Sequence, residues 1–85
     1  MKITLKYFAS LREALGPGGT LDWQPGAEPT AAALREWLRE QSDAHAEALA
    51  PGRAVRVAVD QALADEATPL RDGAEVAFFP PVTGG

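Results

Sequence analysis

The residues best suited to chemistry stand at the end of the chain, Phe78-Phe79-Pro80-Pro81-Val82-Thr83-Gly84-Gly85. Pro80 and Pro81 cannot donate ladder hydrogen bonds, so they end a strand and hold an extended path. The residues after Phe79 span roughly 20 Å when extended. Gly84 and Gly85 have no side chains and would pass a narrow channel in another protein. A carboxylate on Gly85 is a poor acyl donor until it is activated. Joined to AMP by a separate enzyme that uses ATP and Mg, it becomes a mixed anhydride. A sulfur donor can then displace AMP and leave a thiocarboxylate. The chain would thereby serve as a covalent carrier. It has no Gly-rich phosphate loop with which to bind ATP alone. The same residues also fit a frayed end that does no chemistry.

Other chemistry is largely excluded by composition. There is no cysteine, so thiol nucleophiles, disulfides and Cys-based metal sites are absent. The single histidine, His45, rules out a multi-His metal site and reads as a solvated helix residue. Ser10 and Ser42 read as helix caps rather than nucleophiles. No resident cofactor or metal is expected. Lys and Arg number 8 against 12 Asp and Glu, a net charge of -4. Without a basic cluster, nucleic acid is a poor partner. No apolar run approaches the ~20 residues of a membrane span. The start of the chain lacks the apolar stretch of a signal peptide, which makes the cytoplasm the expected location.

The elements that must position the tail follow from periodicity. With 85 residues, 46% of them hydrophobic, the chain makes one small globular domain. Lys2 to Phe8 alternates, with Ile3, Leu5 and Tyr7 on one face, and predicts a half-buried strand. Ser10 and Glu13 match a capping box, predicting a short helix through Leu15. Gly16 to Gly19 is a turn, and Thr20 to Trp23 a strand that pairs with the first. Thr30 caps a main helix over Ala31 to Gln41. Its Leu34, Trp37 and Leu38 face a sheet, and Arg35, Glu36, Arg39 and Glu40 face solvent. Ser42 caps a weaker helix over Asp43 to Ala50. Arg53 to Asp60 and Ala62 to Ala64 form a hairpin about Asp60-Gln61, although that turn lacks the usual glycine. Glu75 to Phe79 is the last strand. The order predicts an α+β fold, a mixed sheet with one main helix across it. It looks like the β-grasp, or ubiquitin-like, arrangement. The crossover through the long helix would supply the parallel contact. Residues 1–79 form the domain and 80–85 an extended tail.

Parity then picks out a surface. Phe8 opposes the Ile3, Leu5 and Tyr7 face, and Phe79 opposes Val76 and Phe78. If Asp60-Gln61 is the turn, Leu63 pairs with Ala58 and points away from Val57 and Val59. Phe8, Leu63 and Phe79 would therefore share the sheet face that the helix leaves uncovered, as a partner-binding patch. Strand bulges could instead return some of them to the core. Asp65 and Glu66 read as a solvated loop or as a contact for a basic activator. Arg12 reads equally as a partner contact or a solvated helix residue.

The run Leu70-Arg71-Asp72-Gly73-Ala74-Glu75-Val76-Ala77-Phe78-Phe79-Pro80-Pro81-Val82-Thr83-Gly84-Gly85 closely resembles the end of the molybdopterin synthase small subunits, a family of ubiquitin-like sulfur carriers. The resemblance extends to Lys6-Tyr7-Phe8-Ala9, Leu11-Arg12-Glu13 and Leu34-Arg35, in effect the whole chain. It implies a chain that is no enzyme on its own but the sulfur-donating subunit of a sulfurtransferase. Gly85, preceded by Gly84, would be adenylated by a ubiquitin-activating-like adenylyltransferase and charged from a persulfide relay protein. It would then donate sulfur to cyclic pyranopterin monophosphate in molybdenum cofactor synthesis. The implied assembly is a heterotetramer of two small and two large subunits. Phe8, Leu63 and Phe79, with Pro80, Pro81, Val82 and Thr83, would contact the partner. Other readings remain open: a sulfur carrier for thiamine or tRNA thiolation, a protein modifier joined through Gly85, or an interaction domain whose terminus does no chemistry.

Overall fold

The computed structural model describes residues 1–81. Its elements are β1 (Lys2–Tyr7), α1 (Ala9–Leu15), β2 (Gly18–Asp22), α2 (Ala31–Arg39), α3 (Asp43–Ala48), β3 (Arg56–Val59), β4 (Ala62–Ala64) and β5 (Ala74–Phe79). The five strands form one sheet in the order β2-β1-β5-β3-β4. β1 pairs antiparallel with β2 and parallel with β5, while β3 is antiparallel to both β5 and β4. This is the β-grasp arrangement. The parallel contact differs from the one expected. β2 lies at an edge, and the crossover delivers the chain to the far side of the sheet. The β3–β4 hairpin builds there, and β5 then fills the gap beside β1.

The core lies between the sheet and the helices. Ile3, Leu5 and Tyr7 of β1 share one face with Ala74, Val76 and Phe78 of β5 and Val57 of β3. Against them pack Leu34 and Leu38 of α2, with Leu11, Leu49 and Leu70 closing the edges. Burying one such side chain is worth about 1.5–3 kcal/mol. Thr30 caps α2 as expected, its Oγ1 accepting from Ala33 N at 3.1 Å. Such a cap contributes ~1 kcal/mol. Trp37 is half-buried and packs against the core.

Several local expectations need correction. Ser10 does not cap α1. Phe8 is the extended residue before the helix, and its carbonyl accepts from both Leu11 N and Arg12 N. The helix therefore starts at Ala9, two residues earlier than the capping-box pattern suggests. β2 begins at Gly18, not Thr20, because Gly18 opposes Lys6 in the ladder. Its φ is +100°, and a Cβ there would overlap the Leu5 carbonyl, so only glycine fits. Trp23 lies just past β2 but is almost wholly buried, its N–H donating to Met1 O at 2.7 Å. β3 is shorter than predicted, since Arg53 N turns back to Ala50 O. α2 ends at Arg39 and α3 at Ala48, each shorter than its periodic pattern.

Arg35 is the largest departure. Periodicity sets it on the solvent side of α2, yet it is buried, at 7% exposure. Its Nε donates to Leu49 O at 2.8 Å and its Nη2 to Ala50 O at 2.7 Å and Arg53 O at 3.3 Å. Nη1 meets Glu66 Oε1 at 2.6 Å. The planar guanidinium has enough donors to satisfy several carbonyls at once, which is how a charge becomes tolerable there. His45 is also half-buried rather than fully solvated. Its Nδ1 lies 2.7 Å from Ser42 Oγ, and its ring meets Tyr7 edge-on at 6.4 Å. Ser42 caps α3 as expected, accepting from His45 N.

Candidate functional site

The face of the sheet turned away from the helices is built by pairing register alone. In β5, Glu75, Ala77 and Phe79 alternate with the core residues and so point outward. Arg56 lies opposite Phe79, and Ala58 opposite Ala77. Leu63 lies opposite Ala58, and Lys6 pairs with Ala77 on the other side. One row across the sheet therefore reads Lys6, Ala77, Ala58, Leu63. The next row brings Phe8 beside Phe79 and Arg56, since Phe8 N donates to Phe78 O at 3.2 Å and extends the β1–β5 ladder.

The hairpin that fixes this register turns at Asp60-Gln61. Both residues have positive φ, 51° and 67°, as a two-residue turn of this hand requires. The turn works without glycine because Asp60 is anchored. Its N–H donates to Glu75 O at 2.8 Å, and its Oδ1 accepts from Glu75 N at 3.0 Å. Aspartate also tolerates the left-handed region better than most residues. Asp60 thereby ties the β3–β4 hairpin to β5 and fixes which side Leu63 faces.

Phe8 is 46% and Leu63 69% exposed, the large hydrophobic residues most open to solvent among the described residues. Phe79 is half-buried and Ala77 buried between its neighbours. Phe8, Phe79, Ala77, Ala58 and Leu63 form a continuous apolar surface. Its charged neighbours differ in state. Lys6 Nζ is paired to Glu75 Oε1 at 3.1 Å. Arg56, beside Phe79, is exposed.

The tail departs from the same end. Pro80 and Pro81 are half-buried. Pro81 lines a shallow groove of about 360 Å³ with Val55, Arg56, Val57, Ala64 and Glu66. Val82, Thr83, Gly84 and Gly85 lie outside the described residues. Asp65 and Glu66 are exposed but engaged inside the molecule. Asp65 Oδ1 accepts from Ala67 N at 2.8 Å and Thr68 Oγ1 at 3.4 Å, and Glu66 holds Arg35. Arg35, which the sequence reading set on the solvent face, thus fixes the loops on both sides of the groove.

Nothing else among the described residues resembles a reaction centre. No group of His, Asp or Glu there could hold a metal ion, and no helix is long and apolar enough to cross a membrane. Tyr7 is a buried residue of β1. Its hydroxyl is buried with no hydrogen-bond partner among the described residues, and burial pushes its pKa up to about 12. It faces the core side of the sheet, opposite the apolar surface.

Comparison with known proteins agrees with this architecture. The ThiS family model matches residues 5–85. Over 84 residues the chain is 46% identical to the molybdopterin synthase sulfur carrier subunit of Escherichia coli, covering 98% of this chain and 99% of that one. It is 39% identical over 83 residues to the subunit of the same name from Haemophilus influenzae, covering 98% of this chain and 99% of that one. Among solved structures, a Haloferax volcanii protein superposes with a TM-score of 0.75 at 28% identity, covering all of this chain and 87% of that one.

Proposed function

Because the chain belongs to the ThiS family, we propose that it is the sulfur carrier subunit of a molybdopterin synthase. The observation that carries the reading is its near-full-length identity to proteins of that name. The geometry fits a carrier. A rigid sheet presents an apolar face beside the point where Pro80 and Pro81 lead the chain out.

The Gly85 carboxylate is the reacting group in this account, and Gly84 gives it slim passage. One carboxylate oxygen attacks the α-phosphorus of ATP on a separate adenylyltransferase. Pyrophosphate leaves, and Gly85 becomes an acyl adenylate. The terminal sulfur of a persulfide on a relay protein attacks the acyl carbon and displaces AMP, giving an acyl disulfide. A thiol then attacks the relay-side sulfur, forms a disulfide with it and releases the Gly85 thiocarboxylate. ATP and its Mg belong to the activating enzyme, so the carrier supplies only the acyl group. Phe8, Leu63 and Phe79 then dock on the large subunit. Pro80, Pro81, Val82 and Thr83 guide the charged end into that subunit's active site, where sulfur passes to cyclic pyranopterin monophosphate. Each product needs two sulfurs, so two charged carriers act in turn, within a heterotetramer of two small and two large subunits. The reactions take place in the cytoplasm.

Reconstitution tests this reading. The charged chain with its large subunit should convert cyclic pyranopterin monophosphate to molybdopterin, and deletion of Gly84 and Gly85 should abolish conversion. Undiminished conversion by the truncated chain would reduce the protein to a binding module. Charged chain that serves only a thiazole synthase would move it to another sulfur pathway.

A further inference from the structure

Beside the apolar face stands a cation, Arg56, for which the fold supplies no partner among the described residues. Arg56 stands directly across the ladder from Phe79 and lines the same groove as Pro81. It thus lies between the exposed hydrophobic residues and the point where the tail departs. Among the described residues its side chain makes no hydrogen bond or ion pair, unlike Lys6 across the face, which Glu75 neutralises. The carboxylates sharing its groove are already engaged. Glu66 Oε1 is held by Arg35, and Asp65 Oδ1 closes its own turn. The chain as a whole is acidic, so an unpaired guanidinium at this spot is not part of a general basic surface.

We propose that Arg56 is a specificity-determining residue of the docking face, pairing with a carboxylate that the large subunit presents beside its apolar seat. The inference rests on the carrier reading and deepens it. An apolar patch alone is non-directional and tolerates rotation of one partner on the other. A guanidinium meets a carboxylate through two parallel hydrogen bonds in one plane, which adds geometric specificity. Placed at the root of the tail, that contact fixes the rotation at which Pro81 faces the partner. Charge complementarity of this sort governs register and partner choice.

The test is binding of the full chain to its purified large subunit by calorimetry, for the native chain and for R56K, R56Q and R56E. Arg56 is exposed and unpaired, so all three should melt as the native chain does. R56Q is expected to weaken binding about tenfold, and R56E more. R56K should recover only part, because lysine keeps the charge and loses the fork. Native binding with R56Q and R56E within twofold of it would overturn the inference while leaving the carrier reading intact. A native chain that does not bind the large subunit at all would overturn both.

Discussion

Replacing Arg35 by alanine should be the most damaging single change outside the apolar core. Its guanidinium satisfies Leu49 O, Ala50 O and Arg53 O and pairs with Glu66. Alanine leaves three carbonyls without that donor. A buried unsatisfied polar group costs about 1–3 kcal/mol. Leu49 is wholly buried, whereas Ala50 and Arg53 are partly or fully open to water, so the full cost falls mainly on Leu49 O. Lost packing of the arginine stem adds to it. A total of about 3–4 kcal/mol is expected, a large share of what a domain of this size possesses. Melting should fall by roughly 12–30 °C at about 4–8 °C per kcal/mol. Glu66→Gln is the control. Glu66 Oε1 lies on a side chain 58% exposed, and an amide oxygen can still accept from Nη1. That change should cost less than about 1 kcal/mol. Thermal and urea unfolding of both variants measures the difference. Equal, small effects would refute the idea that Arg35 is held for the carbonyls of the loop before β3.

Other consequences concern the two sides of the sheet. Leu63→Asp should leave the melting temperature within a few degrees, because Leu63 is 69% exposed. It should weaken binding to the large subunit at least about tenfold, since it places a charge within an apolar contact. Tyr7 gives a pH signature. Its folded pKa of about 12 lies above the ordinary tyrosine value of 10.0, so the folded state holds its proton longer than the unfolded chain. Its contribution is complete below pH 10 and is lost as the pH rises towards 12, by about 1.4 kcal/mol at pH 11. Tyr7→Phe should remove that part of the alkaline destabilisation. Identical alkaline profiles for the two chains would contradict burial of the hydroxyl.

Much of this was legible in the sequence because sheet parity is a strict rule. Alternation in β1 and β5, with the turn at Asp60-Gln61, was enough to place Phe8, Leu63 and Phe79 on one face, and the ladder has them there. What failed was information that the local sequence does not hold. Arg35 looks like any polar residue on an amphipathic helix. Its burial comes from Leu49, Ala50, Arg53 and Glu66, all far along the chain. Ser10 has the type and spacing of a cap, but the strand before it already supplies Phe8 O to the first turn. The parallel partner of β1 was missed for a related reason. It comes from the other end of the chain, and periodicity carries no signal of pairing at that range.

A single atom at Gly85 separates a sulfur carrier from a binding module, and it can be weighed. Intact mass of the chain isolated from its native cell, with fragmentation of the terminal peptide, reads the state of Gly85 directly. A sulfur carrier should yield a species in which sulfur replaces one Gly85 carboxylate oxygen, with the mass difference confined to the terminal fragment. A chain that never gains this sulfur, even with its activating enzyme, ATP and a persulfide donor present, would contradict the carrier reading.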